Sequence, residues 1–190
     1  MIVISNPVVL NREKFLINTL FEEGLELLHV RKPNYSDEEM KSFLSEINQE
    51  FRSKLVLHNH HQLATEFGIN RIHNPVKIKK FGWDKPIFST STHSIEEFNE
   101  LSTFFEYAFL SPVFSSISKT NYHPTNDLFL EIKKRTNFKT RMIALGGIQP
   151  ENIPKLLQSD FDDCALLGTI WNDDNPIKKF KICQQIAHMH

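Results

Sequence analysis

Met142-Ile143-Ala144-Leu145-Gly146-Gly147-Ile148-Gln149-Pro150-Glu151-Asn152 is a short apolar run that ends in two glycines and then opens a helix. Without a Cβ, Gly146 and Gly147 let backbone N–H groups face an anion directly, and a helix N-terminus behind them adds partial positive charge. The punctuation recurs in Asp163-Cys164-Ala165-Leu166-Leu167-Gly168-Thr169-Ile170, again a buried-type strand with a glycine near its end, followed by the last helix of the chain. Two consecutive units of strand, glycine and helix are how barrels of parallel strands build a phosphate pocket after strands seven and eight. A glycine pair after a strand also serves a plain tight turn, and taken alone the pair supports both readings equally.

Outward from this stretch, short apolar runs alternate with amphipathic ones along the whole chain, the pattern of βα units around a parallel sheet. Strands are expected over residues 2–5, 25–31, 54–58, 71–73, 87–91, 107–110, 141–145 and 163–167. Helices are expected over 12–23, 37–52, 61–67, 95–101, 127–135, 150–158 and 176–188, the second with Ser36 as N-cap and Glu39 three residues on. Residues 74–81 are basic and hold only part of a helical pattern. The reading is a compact, single-domain (β/α)8 barrel over residues 1–190, shorter than the roughly 250 residues such barrels usually take. An open doubly wound sheet would show an early glycine-rich turn, and Ser5-Asn6-Pro7-Val8 after the first strand has no glycine. In a barrel the strand ends converge, which makes His29, Arg31, His58, Asn59, His73, Ser91, His93, Ser111, Lys119, Gly146, Gly147 and Gly168 neighbours at one mouth.

The formal net charge of -1 over 190 residues argues against a general nucleic-acid binder, so an anion site must be local. The first residues are apolar but lack a basic leader and are broken by Pro7, and no later run reaches membrane-spanning length. A cytoplasmic protein with no membrane partner is expected. Cys164 and Cys183 form no CxxC pair and read as reduced, buried thiols. The sixteen phenylalanines are scattered through expected core faces, which suits packing between helices and barrel.

Laid out this way, the chain resembles the thiamine phosphate synthase and thiazole tautomerase family of compact (β/α)8 barrels. Leu28-His29-Val30-Arg31-Lys32 is similar to its second-strand segment, and Phe88-Ser89-Thr90-Ser91-Thr92-His93-Ser94-Ile95-Glu96-Glu97 to its fifth-strand G-x-S-x-H-S-x-E-E motif. Leu110-Ser111-Pro112-Val113-Phe114-Ser115-Ser116-Ile117-Ser118-Lys119 resembles G-P-V-F-x-T-x-T-K, and Ala144-Leu145-Gly146-Gly147-Ile148 with Gln149-Pro150-Glu151-Asn152 resembles A-I-G-G-I followed by N-P-E-N. The resemblance implies an enzyme of thiamine biosynthesis that joins hydroxymethylpyrimidine pyrophosphate to thiazole phosphate and releases pyrophosphate. It implies phosphate-bearing pyrimidine and thiazole ligands and Mg²⁺ as cofactor. Such a dissociative displacement needs charge neutralisation and orientation more than a general base. The catalytic set carried over is Arg31, Lys119, Ser91 and His93, with Arg31 and Lys119 on pyrophosphate and Ser91, Ser116 and Ser118 as hydrogen-bond donors. Substrate binding falls to His29, His58, Asn59, Ser116, Ser118, Gly146, Gly147, Gly168 and Thr169, the glycines holding the thiazole phosphate.

The departures are concentrated in one half. Where the family carries an Asn-Asp pair after strand three, this chain has His58 and Asn59, leaving Asn59 as metal ligand with a neutral oxygen where Mg²⁺ favours a carboxylate. The family's second aspartate is replaced by the basic run from Arg71 to Lys77, and the family lysine past Arg31 is Pro33, with Lys32 beside it. A tautomerase-like enzyme is the second reading, although its catalytic histidine position holds Pro112, so His93 or His58 would have to serve. A non-catalytic binder of thiazole phosphate or thiamine phosphate is the third. The His58-Asn59-His60-His61 cluster, with His29, His73 and His93 at other strand ends, also invites a metal-dependent hydrolase, since histidine nitrogens suit Zn²⁺ or similar ions. Solvated or hydrogen-bonded loop histidines are the plainer reading.

Overall fold

The computed structural model describes residues 1–75, 86–114 and 128–189, in which eight parallel strands close into a barrel in chain order. The strands are β1 (Ile2–Ile4), β2 (Leu27–Val30), β3 (Leu55–Leu57), β4 (Arg71–His73), β5 (Ile87–Thr92), β6 (Tyr107–Leu110), β7 (Arg141–Leu145) and β8 (Asp163–Leu166). Around them lie α1 (Glu13–Glu22), α2 (Asp37–Ser45), α3 (Ile95–Asn99), α4 (Leu128–Glu131), α5 (Ile153–Leu157), α6 (Gly168–Trp171) and α7 (Pro176–His188). The connection from β3 to β4 carries a single 3₁₀ turn, His61–Leu63, where a full helix was expected, and a second 3₁₀ turn, Pro150–Asn152, leads into α5.

Two expected helices are shorter than their sequence pattern. The one expected over 37–52 begins as read, with Ser36 and Glu39 forming a reciprocal capping box, but ends at Ser45 and resumes as a 3₁₀ turn at Gln49–Lys54. Asn18 on α1 holds that break open. Its Nδ2 donates to the Glu46 carbonyl and its Oδ1 accepts the Asn48 N–H, each at 2.9 Å, so both groups are taken from the helix ladder. The helix expected over 61–67 survives only as His61–Leu63. His60 before it is left-handed, and Gly68 with φ 67° turns the chain out soon after. Of residues 74–81, where the helical pattern was weak, 76–81 lie outside the described residues.

The strand register divides side chains into two rows by the two-residue period. Val3, Leu28, Val30, Leu55, Leu57, Ala108, Leu110, Met142, Ala144, Cys164 and Leu166 point outward and pack beneath the helices as the main core. The inward row runs through Ile4↔His29↔Val56, His73↔Ser89↔Tyr107, and Phe109↔Ile143↔Asp163. Inside the barrel, Ile2, Ile4, Tyr107, Phe109, Ile143 and Ala165 form a second apolar cluster, which occupies the β1 and β6–β8 side. The β2–β5 side of the same interior is polar.

Row membership also decides Lys32. It shares the outward row with Leu28 and Val30, is fully buried, and pairs with Glu13 on α1 while donating to the carbonyls of Asn6 at 2.6 Å and Val8 at 3.1 Å. Lys32 therefore fastens the loop after β1 and does not stand in for a lysine at the mouth. Burial lowers the Lys32 pKa and raises that of Glu13, the mutual pairing opposing both shifts. Cys164 and Cys183 are free and buried, and burial lifts their thiols to about 12 and about 11, far from thiolate chemistry at neutral pH.

Candidate active site

The C-terminal ends of the strands form a mouth with two unlike halves. On the β7–β8 side lies a cavity of about 850 Å³, lined among the described residues by Asn6, Ser111, Gly146, Gly147, Gly168, Thr169, Trp171 and Lys179, among others. Gly146 has φ +102°, and a Cβ there would meet Pro112 Cα and Cβ at 3.0 Å, so both conformation and space require glycine. Gly147 follows at φ 64°. Its carbonyl is held by Asn152 Nδ2 at 3.1 Å, and Asn152 Oδ1 in turn accepts the Gln149 N–H at 2.9 Å, which locks the turn. At α6, the Leu167 carbonyl already takes the N–H groups of Ile170 and Trp171, each at 3.1 Å. The N–H groups of Gly168 and Thr169, first in the helix, have no intrahelical acceptor. The Thr169 hydroxyl is committed to the Ile148 carbonyl, so the donor Thr169 has left for a ligand is its backbone. Lys179 on α7 brings a cation to the rim, 3.1 Å from Asp173. No motif in the sequence singled out Lys179, because it reaches the pocket from a helix that follows the last glycine.

The β2–β5 half is built from imidazoles. His29, fully buried on β2, sets Nδ1 2.8 Å from His58 Nε2 and Nε2 2.6 Å from the Tyr107 hydroxyl. His73 on β4 is 2 % exposed and bonds Ser89 Oγ through Nδ1 at 2.9 Å and Ser91 Oγ through Nε2 at 3.0 Å. The His58 and His73 rings stack with centroids 4.1 Å apart. His58 lies just past β3, yet its N–H still donates to the Val30 carbonyl at 3.1 Å, which keeps the ladder going long enough to aim its ring inward. Burial lowers all three, helped by neighbouring imidazoles, those of the trio at His29 and His58 and that of His61 at His73: His29 falls well below the ordinary imidazole value, His58 to about 2 and His73 to about 3. The trio is neutral at physiological pH. Burial also raises the Tyr107 phenol, which remains a hydroxyl.

The remaining expected residues are placed as follows. Arg31 is exposed at the end of β2, its N–H on Ser5 Oγ at 2.9 Å, and its positive charge is felt at His58. Asn59 donates through Nδ2 to the Lys32 carbonyl at 2.8 Å, and its Oδ1 is buried without a partner among the described residues. His93 turns Nδ1 to the Ser111 carbonyl at 2.9 Å, at the β5–β6 edge, and does not join the histidine trio. His60 does not point alongside His58 either; its Nδ1 is 2.5 Å from Asp37 on α2. Ser116, Ser118 and Lys119 lie outside the described residues. Tyr107 and Ser89 contribute to the polar half although neither was expected as a ligand, and they meet there His73, which was expected at the mouth. Their signal was the alternation in Arg71-Ile72-His73 and Tyr107-Ala108-Phe109, which needs the register to be read.

Asn59 offers the one free oxygen at the expected Mg²⁺ position, and it is neutral. Among the described residues, the only group of three or more His, Cys, Asp or Glu side chains close enough to hold an ion is His29, His58 and His73. A hard cation that selects carboxylate oxygen does not fit that donor set.

A closed barrel of eight parallel strands, with a glycine-lined cavity after its seventh and eighth, defines a (β/α)8 barrel protein. The family model described as TMP-TENI, thiamine monophosphate synthase, matches residues 1–170, and the chain belongs to this family. It is 23% identical over 176 residues to the thiamine-phosphate synthase of Caldicellulosiruptor saccharolyticus, covering 87% of this chain and 80% of that protein. The corresponding protein of Caldicellulosiruptor bescii is 24% identical over 170 residues, covering 84% and 78%. Among solved structures, the thiamine phosphate pyrophosphorylase of Bacteroides thetaiotaomicron superposes with a TM-score of 0.81 at 30% identity, covering 100% of this chain and 98% of that one. The thiamine phosphate pyrophosphorylase of Pyrococcus furiosus gives 0.77 at 16% identity, covering 99% and 94%, a likeness of fold. No helix among the described residues is long and apolar enough to cross a membrane.

Proposed function

We propose that this chain, acting as one domain in the cytoplasm, joins hydroxymethylpyrimidine pyrophosphate to thiazole phosphate and releases pyrophosphate, giving thiamine phosphate. The observation that carries the reading is the glycine-lined cavity of about 850 Å³ beside a polar barrel interior at one mouth, an arrangement that seats a phosphate next to a planar polar ring. In the reaction the carbon–oxygen bond to pyrophosphate breaks, the leaving group departs with the electron pair, and the thiazole nitrogen lone pair forms the new carbon–nitrogen bond. No proton transfer is required, so the neutral imidazoles suit a binding role. Arg31 and Lys119 neutralise the departing charge. Ser91 accepts from His73 Nε2–H when His73 Nδ1 takes the Ser89 proton, which leaves the Ser91 proton for the anion, while Ser116 and Ser118 add donors. His58 and Asn59 face the pyrimidine, and His29, buried with both ring nitrogens bonded, supports His58 from behind rather than meeting the ligand itself. Gly146 and Gly147 shape the turn, and the N–H groups of Gly147, Gly168 and Thr169 hold the thiazole phosphate.

A second reading has one observation in its favour: Tyr107, His29 and His58 form a hydrogen-bonded chain from the barrel interior to the mouth, which a tautomerase-like proton transfer on a thiazole phosphate would use. A binder of thiazole phosphate or thiamine phosphate without chemistry uses only the glycine half. Incubation of purified protein with both substrates and detection of thiamine phosphate tests the synthase. Product from the wild type and its loss in Lys119→Ala supports it. Absence of product, with exchange of a thiazole proton dependent on His58, favours the tautomerase, and thermal stabilisation by thiazole phosphate alone leaves the binder.

A further inference from the structure

The polar half of the barrel carries a constellation that displacement of pyrophosphate does not call for. His29, His58 and His73 come from three neighbouring strand ends, and one nitrogen of each lies within 4.8 Å of the others. We infer that these three imidazoles form a binding site for a borderline divalent transition ion such as Zn²⁺, with three nitrogen ligands and one open position.

The geometry is close to what such an ion needs. Zn–N distances of about 2.0–2.1 Å in a tetrahedral site set ligand nitrogens about 3.3 Å apart. The closest pair here, His29 Nδ1 and His58 Nε2, stands at 2.8 Å and the widest separation is within 4.8 Å, so the required spacing lies between the two. An ion inserted between His29 and His58 replaces their hydrogen bond with two coordinate bonds. His58 is the part that yields, since it lies past the end of β3 and is only half-buried.

The surroundings already orient the ligands. A metal-bound histidine is normally held by a hydrogen bond from its other ring nitrogen, which fixes tautomer and angle. With Nδ1 of His29 on the ion, Nε2–H donates to the Tyr107 hydroxyl, 2.6 Å away. With one nitrogen of His73 on the ion, the other keeps its serine, Ser89 or Ser91. The Phe109 ring, 4.8 Å from His29 and 5.2 Å from His73, closes one side with apolar surface. His29 and His73 are both more than nine-tenths buried, so the side left for a fourth ligand, water or an anionic oxygen, is the one next to His58 at the mouth. The site is distinct in chemistry from the hard-oxygen position at Asn59, and the selection of nitrogen-loving ions follows from the absence of a carboxylate in the trio.

The test uses whole protein without substrates, so its outcome is independent of the synthase reading. Protein stripped with EDTA is dialysed against Zn²⁺ and against Co²⁺, with bound metal measured by mass spectrometry and the Co²⁺ form by its visible d–d absorption. One equivalent per chain is expected, with the intense absorption of a four-coordinate ion. His58→Gln, at the half-buried position least needed for folding, lowers affinity by more than about tenfold, the loss seen even for changes outside the ligand shell. His73→Gln does the same, whereas His188→Gln, on the exposed end of α7, leaves binding unchanged. Failure of the wild type to retain either ion, or one equivalent that survives His58→Gln, overturns the site.

Discussion

The two halves of the mouth are built by different means. On the β7–β8 side, backbone does the work: Gly146 and Gly147 at positive φ, the first N–H groups of α6, and an apolar wall from Leu145, Ile148 and Ala165. On the β2–β5 side, side chains do it, and they are unusual ones, three imidazoles and two serines in a buried network. A backbone site is tied to the turn that makes it and leaves glycines in the sequence at fixed spacing. A side-chain site is assembled from residues on separate strands and can be rewritten one position at a time without disturbing the barrel. That contrast fits a glycine half that keeps its resemblance to the family motifs and a histidine half that departs from them.

Breaking each half in turn separates them. Lys119→Ala, at the residue proposed to meet pyrophosphate, is expected to lower kcat by about 10²–10³ with little change in stabilisation by thiazole phosphate, the scale of losing one donor to developing charge. Equal loss of both would place Lys119 elsewhere. Gly147→Val should abolish the thermal shift produced by thiazole phosphate, because a β-branched residue at φ 64° is strained and fills the approach to the backbone donors. A shift retained in the valine variant moves the phosphate away from the turn.

The histidine half predicts a pH signature that the glycine half lacks. In the metal-free fold His58 and His73 are held down to about 2 and about 3 by burial, while in the unfolded chain they titrate near 6.5. Below that value the unfolded state binds protons that the folded state refuses. Stability is therefore level above about pH 6.5 and falls as pH drops toward 3, by roughly 1.4 kcal/mol per pH unit for each such histidine. Urea midpoints at pH 7.5, 6 and 5 in EDTA measure it, and a flat series would remove the buried neutral trio. Gly146→Ala should cost about 1–3 kcal/mol in the same assay, since φ +102° strains alanine and its Cβ meets Pro112 at 3.0 Å. The smallest expected effect is that of Asn59→Asp: a carboxylate at the end of β3 should sharpen the response of turnover to Mg²⁺ by a few-fold. No change would show that the Asn59 oxygen does not face the metal-binding position.

Much of the fold was legible because its signals are local. Arg71–His73, Tyr107–Leu110, Arg141–Leu145 and Pro176–His188 form as read, each an alternating or amphipathic run bounded by turn residues. The helix over 37–52 was overestimated because its break depends on Asn18, thirty residues away from Asn48. The glycine pocket was legible from Gly146, Gly147 and Gly168, but Lys179 at its rim was not. The histidines were visible as residues and not as a group. His60 and His93 looked as eligible as His29 and His73, and only the strand register, with Leu57↔Ile72 and His73↔Ser89, excludes the first pair and joins the second to His58.

What the sequence determined by itself was the order of βα units, the family, and the turns that only glycine can make, because period, caps and positive-φ positions are written within a few consecutive residues. The tertiary structure decided which side chains share the barrel interior. Closing the sheet fixes a register among eight strands, and that register turns Lys32 outward into the core while bringing His29, His58 and His73 together.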